Sequence, residues 1–379
     1  MKHCPAGIIL FLLMSACAKG GKAPEGTYAH DRAFLQENGI ETVELVSKDG
    51  RARVLTVPAW QGRVMTSCAA GEAGRSFGWI NHKFIASGEK SAQFNNYGGE
   101  ERFWLGPEGG DNSWFFAKGA EQVFRNWKVP APFDTDAFEV VERSDTSVAF
   151  SRKVVLKNAK GVEFRMEMRR RVTLLGKEET EALVGDILQD CGGFVAYRSE
   201  NTITNLGPEP WTERTGLPSI WMLGMFNPSK TTTVSIPFRE DASGRIVKDD
   251  YFGPMPEGRV RIAGDCIEFR IDGEYRSKIG VSPERSRGMV LARDPEQRTL
   301  TALFTDIPVA GARFVNSQWG KQEDAFGGDA LNSYNDGPTE DGTVMGPFFE
   351  IESSSPAAAL APGQSLTHVQ TTVHIEGVR

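Results

Sequence analysis

Short segments in which apolar and polar residues alternate run through most of the 379-residue chain. Gly accounts for 41 residues and Pro for 20, and their even spread is typical of turns between short strands. The segments 164–169 and 266–271 place an apolar side chain at every second position. A period of two predicts strands with one face toward solvent. The pattern therefore predicts an all-β fold, organised as one large β-sandwich.

The C-terminal segment alternates as regularly. In residues 368–375, one side of the predicted strand carries Val369, Thr371, Val373 and Ile375. The other side carries His368, Gln370, Thr372 and His374. The polar side predicts a solvent-facing surface, so we expect both histidines at the surface. The segment 31–37 predicts one short helix. No flexible interdomain linker is evident, so residues 28–379 are expected to form a single domain, and a division near residue 130 is the weaker alternative.

The first sixteen residues predict a secretory signal peptide. Their apolar segment, 7–14, is shorter than the about 20 residues that a membrane-spanning helix needs. Ser15 and Ala16 precede Cys17, and small residues before a Cys are what a lipoprotein signal peptidase cuts. We therefore predict that Cys17 is the lipidated mature N-terminus and that residues 17–27 are a flexible tether. The alternative is an ordinary cleaved signal with an incidental Cys.

Charge and cysteine content narrow the function classes. Ala18 after the predicted lipidation site favours an outer-membrane lipoprotein facing the periplasm of a Gram-negative bacterium. A net charge of −7 leaves no basic face for nucleic acid. Cys68, Cys191 and Cys266 permit at most one internal disulfide and lack the spacing of a metal site. Phosphate-loop, dinucleotide, nucleophile-elbow and zinc-protease motifs are missing. We expect no cofactor and assign no metal ligands, and metal dependence stays open. The oligomeric state stays open.

A Gly-rich segment, 95–111, is the first candidate ligand site. Pairs of Gly allow a tight backbone that presents Asn96, Arg102, Trp104 and Glu108. Proteins bind sugars with such residues, because an aromatic face covers the C–H side of the ring while Arg, Asn and carboxylates bond the hydroxyls. The alternative is that Trp104 fills the core and Arg102 pairs with a neighbouring Glu.

A second candidate segment is 197–211, where alternation places Arg198 and Glu200 on one strand face. They are either ligand contacts or a solvated ion pair. His82 is ambiguous between a site residue and a surface residue.

The third candidate segment, 332–356, contains Tyr334, Asn335 and Asp336 and then a strand with Glu350 and Glu352 on one face. Two neighbouring carboxylates favour a raised pKa in one of them, which suits a general acid or base. The alternative is an exposed strand face with two solvated Glu residues.

Three segments together resemble the galactose-mutarotase-like superfamily. They are Val57–Ser67, which contains Arg63, then Thr204–Trp211, and then Gly346–Glu352 followed by Leu360–Gln364. The resemblance implies a β-supersandwich with large antiparallel sheets and a catalytic base on the Glu-bearing strand. Counting from Gly346 favours Glu350 as that base, and counting back from Pro362 favours Glu352, toward which the prediction leans.

One departure from the family affects the predicted reaction. Mutarotases pair the Glu with a His that protonates the ring oxygen, and the corresponding region, 216–226, contains none. We therefore expect a carbohydrate-binding protein whose possible chemistry is proton transfer of the epimerase, mutarotase or lyase type. Non-catalytic glycan binding and hydrolysis by paired carboxylates remain alternatives. The candidate binding residues are Arg63, Asn96, Arg102, Trp104, Glu108, Glu200, Tyr334, Asn335 and Asp336.

Overall fold

The computed structural model describes residues 22–308, 311–339 and 342–378. Its α-helices in these ranges are α1 (Tyr28–Glu37), α2 (His82–Ser87), α3 (Ala131–Asp134) and α4 (Lys177–Val184). Its strands are β1 (Val43–Val46), β2 (Arg53–Val57), β3 (Arg63–Cys68), β4 (Arg102–Gly106), β5 (Glu139–Arg143), β6 (Ser147–Lys157), β7 (Glu163–Leu174), β8 (Gly193–Asn205), β9 (Ser219–Phe226), β10 (Thr233–Pro237), β11 (Val260–Ala263), β12 (Cys266–Arg270), β13 (Ser277–Val281), β14 (Met289–Asp294), β15 (Thr299–Thr305), β16 (Leu331–Asn335), β17 (Phe349–Ser354) and β18 (Ser365–Glu376). The predicted all-β class is confirmed.

The strands form three sheets. The largest has ten strands in the order β11-β12-β10-β14-β15-β18-β8-β7-β6-β5, the second has five in the order β13-β16-β17-β9-β4, and the third is β1-β2-β3. Every pairing within these sheets is antiparallel. The longest pairings join β6, β7, β8 and β18, and β7 alternates buried with more exposed residues along its length as predicted.

A polar layer lies between the ten-stranded and five-stranded sheets. Ser353 Oγ of β17 lies 2.7 Å from His368 Nε2 and donates at 2.7 Å to Gln370 Oε1, both on β18. Gln370 Nε2 donates to the Glu101 carboxylate at 2.7 Å, and Glu101 forms an ion pair with Arg170 of β7. Buried polar groups need such partners, because an unpaired one costs its full desolvation penalty. The layer therefore fixes how the two sheets pack.

The expectation that His368 and His374 lie at the surface is wrong. His374 is 0% exposed, with its Nε2 3.0 Å from Glu100 Oε2 and its ring stacked on Phe77 at 4.2 Å. Burial lowers the pKa of His368 to about 4, so this imidazole is neutral. The apolar side of β18 is covered in turn by α4 and the residues after it, including Leu188. Both faces of the strand are thus interior.

The N-terminal helix forms where the sequence predicts one. Thr27 caps α1, its side chain accepting a hydrogen bond from the His30 N–H at 3.3 Å. Gly26 accepts a backbone hydrogen bond from Ser76 at 2.9 Å, so the last residues of the predicted tether pack on the body. The signal peptide and Cys17 lie outside the described residues. Within the described ranges, no helix combines the length and apolar character needed to cross a membrane.

Candidate functional site

The outward face of the five-stranded sheet forms the floor of a cavity of about 570 Å³. Alternate residues of a strand point to one face, so each strand contributes one set to this floor. The floor residues are Arg102 and Trp104 of β4, Trp221, Leu223 and Met225 of β9, Glu350 and Ser354 of β17, Asn332 and Tyr334 of β16, and Lys278 of β13. The other set on β17, which includes Ser353, faces the polar layer.

Two ion pairs cross diagonally on this floor. Glu350 is paired with Tyr334 in the strand register. Its ion-pair partner, Arg102, instead lies in line with Glu352, because Leu223 is the register partner of both. Lys278 lies beside Tyr334 but reaches Glu352, with its Nζ 3.0 Å from Oε1 and 2.9 Å from Oε2. Each carboxylate therefore has a cation of its own, which offsets the cost of burying both.

The two glutamates differ in access to the cavity. Glu352 is 0% exposed and does not line the cavity, and the Trp221 indole donates to its Oε2 at 2.8 Å in addition to the Lys278 contacts. Glu350 lines the cavity and keeps 7% exposure. Its carboxylate is therefore the one that a bound molecule can contact.

Burial and neighbouring charges shift the pKa values of two floor residues, Glu350 and Lys278. Burial raises the pKa of Glu350 to about 7, with Arg102 opposing the rise and the charge of Glu352 adding to it. For Lys278, burial lowers the pKa, but the attraction of Glu352 and Glu108 outweighs it and the net pKa is raised. Lys278 therefore stays an ammonium, whereas Glu350 exchanges its proton near neutral pH.

The wall of the cavity carries a further carboxylate among aromatic rings. Glu108, in the loop after β4, lines the cavity together with Trp127 and Trp319. Burial raises the pKa of Glu108, while Lys278 and the nearby Trp319 indole oppose the rise. The rings of Trp127 and Trp319 stack with centroids 6.5 Å apart. This wall thus offers flat apolar faces beside an acid.

A hydrogen-bonded cluster also lines the cavity. Tyr251 donates its hydroxyl proton to Asp329, and the Asn332 amide donates to the Tyr251 oxygen at 3.2 Å. Burial raises the pKa of Asp329 and of Tyr251. Gly280 of β13 leaves the space for this cluster, because a Cβ there would overlap the Asp329 carboxylate.

A third cation also lines the cavity. The Arg276 guanidinium lies over the Phe252 ring, 3.8 Å from its centroid. Its buried Nε has no hydrogen-bond partner among the described residues. The guanidinium also interacts with the Tyr334 hydroxyl and with Asp336, so Arg276 belongs to the polar lining of the cavity.

The structure brings five of the predicted site residues together in this cavity. They are Arg102, Trp104, Glu108, Tyr334 and Glu350. Trp104 has a double role, because its indole donates to the Phe133 carbonyl at 2.9 Å while the Arg102 guanidinium lies 4.8 Å from its ring centroid. The Tyr334 hydroxyl donates to Asp336 Oδ1 at 2.7 Å. Asp336 is 0% exposed, so it does not reach the cavity but holds the Tyr334 side chain in position.

The remaining predicted site residues do not line the cavity. Arg63 is 0% exposed and donates to the Gly98 carbonyl at 2.9 Å. Asn335 bonds Asp272 at 3.0 Å on the inner face of β16. Asn96 donates at 3.1 Å to the carbonyl of Met345, which itself lines the cavity. The Glu200 side chain is 48% exposed on β8 and lies 4.0 Å from Arg171, whereas Arg198 lies 3.8 Å from Glu179, so the two do not form the ion pair of the solvated alternative with each other.

Sequence reasoning missed Lys278, Trp221, Tyr251, Arg276 and Asp329. Trp221 lies in the segment 216–226, where the family resemblance predicts a His and gives no role to a Trp. Lys278 and Arg276 lie at and before a short strand without a Gly-rich loop, so no local pattern marked them. Their position became clear only when the register placed β13 beside β16. Among the described residues that line this cavity there is no His, so the missing mutarotase His has no substitute from elsewhere in those residues.

Comparison with solved structures identifies the fold. It is similar to that of a provisionally assigned aldose 1-epimerase from Escherichia coli K12, with 12% identity and a TM-score of 0.51, over 89% of this chain and 99% of that chain. A protein from Synechocystis sp. PCC 6803 is similar at 14% identity and a TM-score of 0.53, over 89% and 96% of the two chains. The predicted galactose-mutarotase-like fold is therefore confirmed.

Sequence comparison places the chain in a family. No curated protein matches the chain. Residues 26–379 match the model of DUF6786, a family of unknown function. The match begins one residue before the Thr27 cap of α1. Because the match covers nearly the whole chain, this protein is a member of the DUF6786 family with a galactose-mutarotase-like fold.

Proposed function

We propose that the cavity over the five-stranded sheet binds a carbohydrate and that Glu350 transfers a proton to and from it. The observation that carries this proposal is the pKa of Glu350, about 7, on a carboxyl group that lines a cavity with indole rings. A general acid or base works best when its pKa lies near the working pH. The reaction class is epimerisation, mutarotation or lyase-type elimination.

The lining of the cavity suits a sugar. Trp104, Trp127, Trp221 and Trp319 line the cavity. The first three are at most 6% exposed and Trp319 is only partly buried, so Trp319 is the indole most accessible to the C–H side of a pyranose. Arg276 adds a cation, and Glu108 adds a carboxyl group. Cavities of this size hold small molecules, and a few convergent polar groups orient them.

Separate roles follow for the charged groups. Glu350 acts as base, because it reaches the cavity, and Arg102 stabilises both its carboxylate and negative charge that develops on the sugar. Glu352 positions Lys278 and Trp221 from below, since its oxygens are already bonded to both. Glu108, which lines the same cavity and whose pKa is also raised, is the candidate acid.

Hydrolysis is the second candidate reaction. It is favoured by one observation, namely that Glu108 and Glu350 line the same cavity and both have raised pKa values. Glycoside hydrolysis uses such a pair, with one carboxyl as acid and the other as base or nucleophile. Product anomers recorded by NMR with an oligosaccharide substrate separate hydrolysis from isomerisation.

We further propose that the chain works outside the cytoplasm as a lipoprotein, with Cys17 as the lipidated residue at the outer membrane facing the periplasm. The support is the sequence of residues 1–22, in which a short apolar segment ends at small residues before a Cys.

The test uses the full chain with a panel of mono- and oligosaccharides, with binding and turnover followed by NMR. We expect E350Q to keep binding and lose turnover by about 10²-fold or more. The matched control is E200Q, which removes an exposed Glu on β8 and leaves both unchanged. Binding of the parent without turnover across the panel would reject the proton-transfer role, and failure to bind any sugar would reject the site.

A further inference from the structure

A second cavity, of about 720 Å³, lies on the other side of β17. Phe349 lines it, whereas the next residue, Glu350, lines the proposed sugar cavity. Its mouth carries His30 and Asp31 from the first turn of α1 and His82 from the start of α2. These three residues have no part in the proposed sugar chemistry.

The three side chains converge on one point. Asp31 Oδ1 lies 3.1 Å from His30 Nδ1 and 2.7 Å from His82 Nε2. One ligand atom from each residue lies within 4.8 Å of the other two. Metal–ligand bonds of 2.0–2.2 Å place neighbouring ligand atoms about 3 Å apart, so a small outward shift admits an ion.

The surroundings of Asp31 favour a cation. Its side chain is only 4% exposed, and its ion-pair partners among the described residues are the two histidines, without Lys or Arg. Ser76 donates to the second oxygen, Oδ2, and Ser76 in turn is bonded to Thr66 at 2.6 Å. Such outer hydrogen bonds hold a ligating carboxylate in place. A metal ion would neutralise the charge of this buried carboxylate.

We propose that His30, Asp31 and His82 bind one divalent transition-metal ion, with the side of the ion away from Asp31 open to the second cavity. Two imidazoles and a carboxylate suit zinc and its first-row neighbours. His30 and His82 keep side-chain exposures of 25% and 40%, so water or an oxygen ligand can approach from the cavity. Three protein ligands with an open position are typical of a reactive rather than a purely structural metal.

The decisive measurement is calorimetric titration of Zn²⁺ into the untagged full chain after chelator treatment. We expect saturation at one equivalent, and weakening of at least about tenfold in H82Q. The double variant H30Q/H82Q is expected to lose the site. The matched control is E37Q, which removes an exposed carboxylate from the same helix, α1, and should bind as the parent does. Co²⁺ in place of Zn²⁺ should give a visible spectrum without thiolate bands, which excludes the cysteines as ligands.

Stability measurements keep the test independent of folding. Zn²⁺ should raise the melting temperature of the parent and of E37Q, since a ligand that binds only the folded state stabilises it. It should not raise that of H30Q/H82Q, whose metal-free circular dichroism should match the parent. Absence of saturable binding in the parent, or equal binding by H30Q/H82Q, would overturn the proposal in favour of simple His–Asp hydrogen bonding. Neither result bears on the sugar cavity.

Discussion

At the scale of single residues, the environment gives two similar side chains different properties. Glu350 and Glu352 point to the same side of β17, two positions apart. Lys278 and the Trp221 indole occupy the oxygens of Glu352, which is 0% exposed. Glu350 has Arg102 and an opening to the cavity, and burial raises its pKa. The sequence identified both carboxylates, but their partners come from three other strands.

The pKa of Glu350 makes the stability of the fold depend on pH. A carboxyl whose folded-state pKa is raised contributes stability below its unfolded pKa and loses that contribution as pH rises through the folded value. Between pH of about 4.5 and about 7, the parent should therefore lose about 3 kcal/mol relative to E350Q. Urea unfolding at several pH values measures this difference. Parallel curves for the two proteins would contradict it, and E200Q should run parallel to the parent.

At the scale of elements, the alternation in β7 marks the buried positions even where the buried residue is charged. In β7, Phe164, Met166 and Met168 are buried, and Arg170 occupies the next buried position. Its charge is matched by Glu101 in the polar layer. The alternation thus continues through Arg170 to Val172 and Leu174, with an ion pair in place of a hydrophobic contact at one position. The sequence cannot reveal the partner, because Glu101 lies just before β4, 69 positions away along the chain.

Breaking this ion pair should be costly. Removal of one partner from a buried pair leaves an uncompensated charge, so R170M should lower the free energy of unfolding by about 3–5 kcal/mol. The neighbouring Arg169 is the matched control, because its side chain is 44% exposed and pairs with Glu142 at the surface. R169M should cost less than about 1 kcal/mol in the same urea experiment. Equal losses for the two variants would refute the structural role of the polar layer.

At the scale of the whole molecule, two cavities lie on opposite sides of β17, and the predicted lipid precedes the folded body. Cys68, Cys191 and Cys266 are free, so the described fold depends on packing and not on disulfides. Lipid attachment at Cys17 would then control location without any effect on the body.

Substitution of Cys17, the predicted lipidation site, tests the proposed membrane location. C17S, expressed in a Gram-negative host, should move the protein from the membrane fraction to the soluble fraction, because the acyl chains would no longer be attached. C191S is the matched control, since Cys191 is a free thiol in the body, and it should stay with the membrane. Membrane association of C17S equal to that of the parent would exclude this anchor.

The sequence by itself determined the fold class, the short helix at α1, the strand alternation and five of the residues that line the proposed sugar cavity. These features are local, since alternation, Gly-rich turns and short motifs are written in neighbouring positions. The tertiary structure decided what depends on distant pairing. It placed Lys278 against Glu352, turned the polar side of β18 inward beneath Ser353, and brought His82 to Asp31 across 51 positions of the chain. Strand register and sheet packing produce these contacts, and no local pattern encodes them.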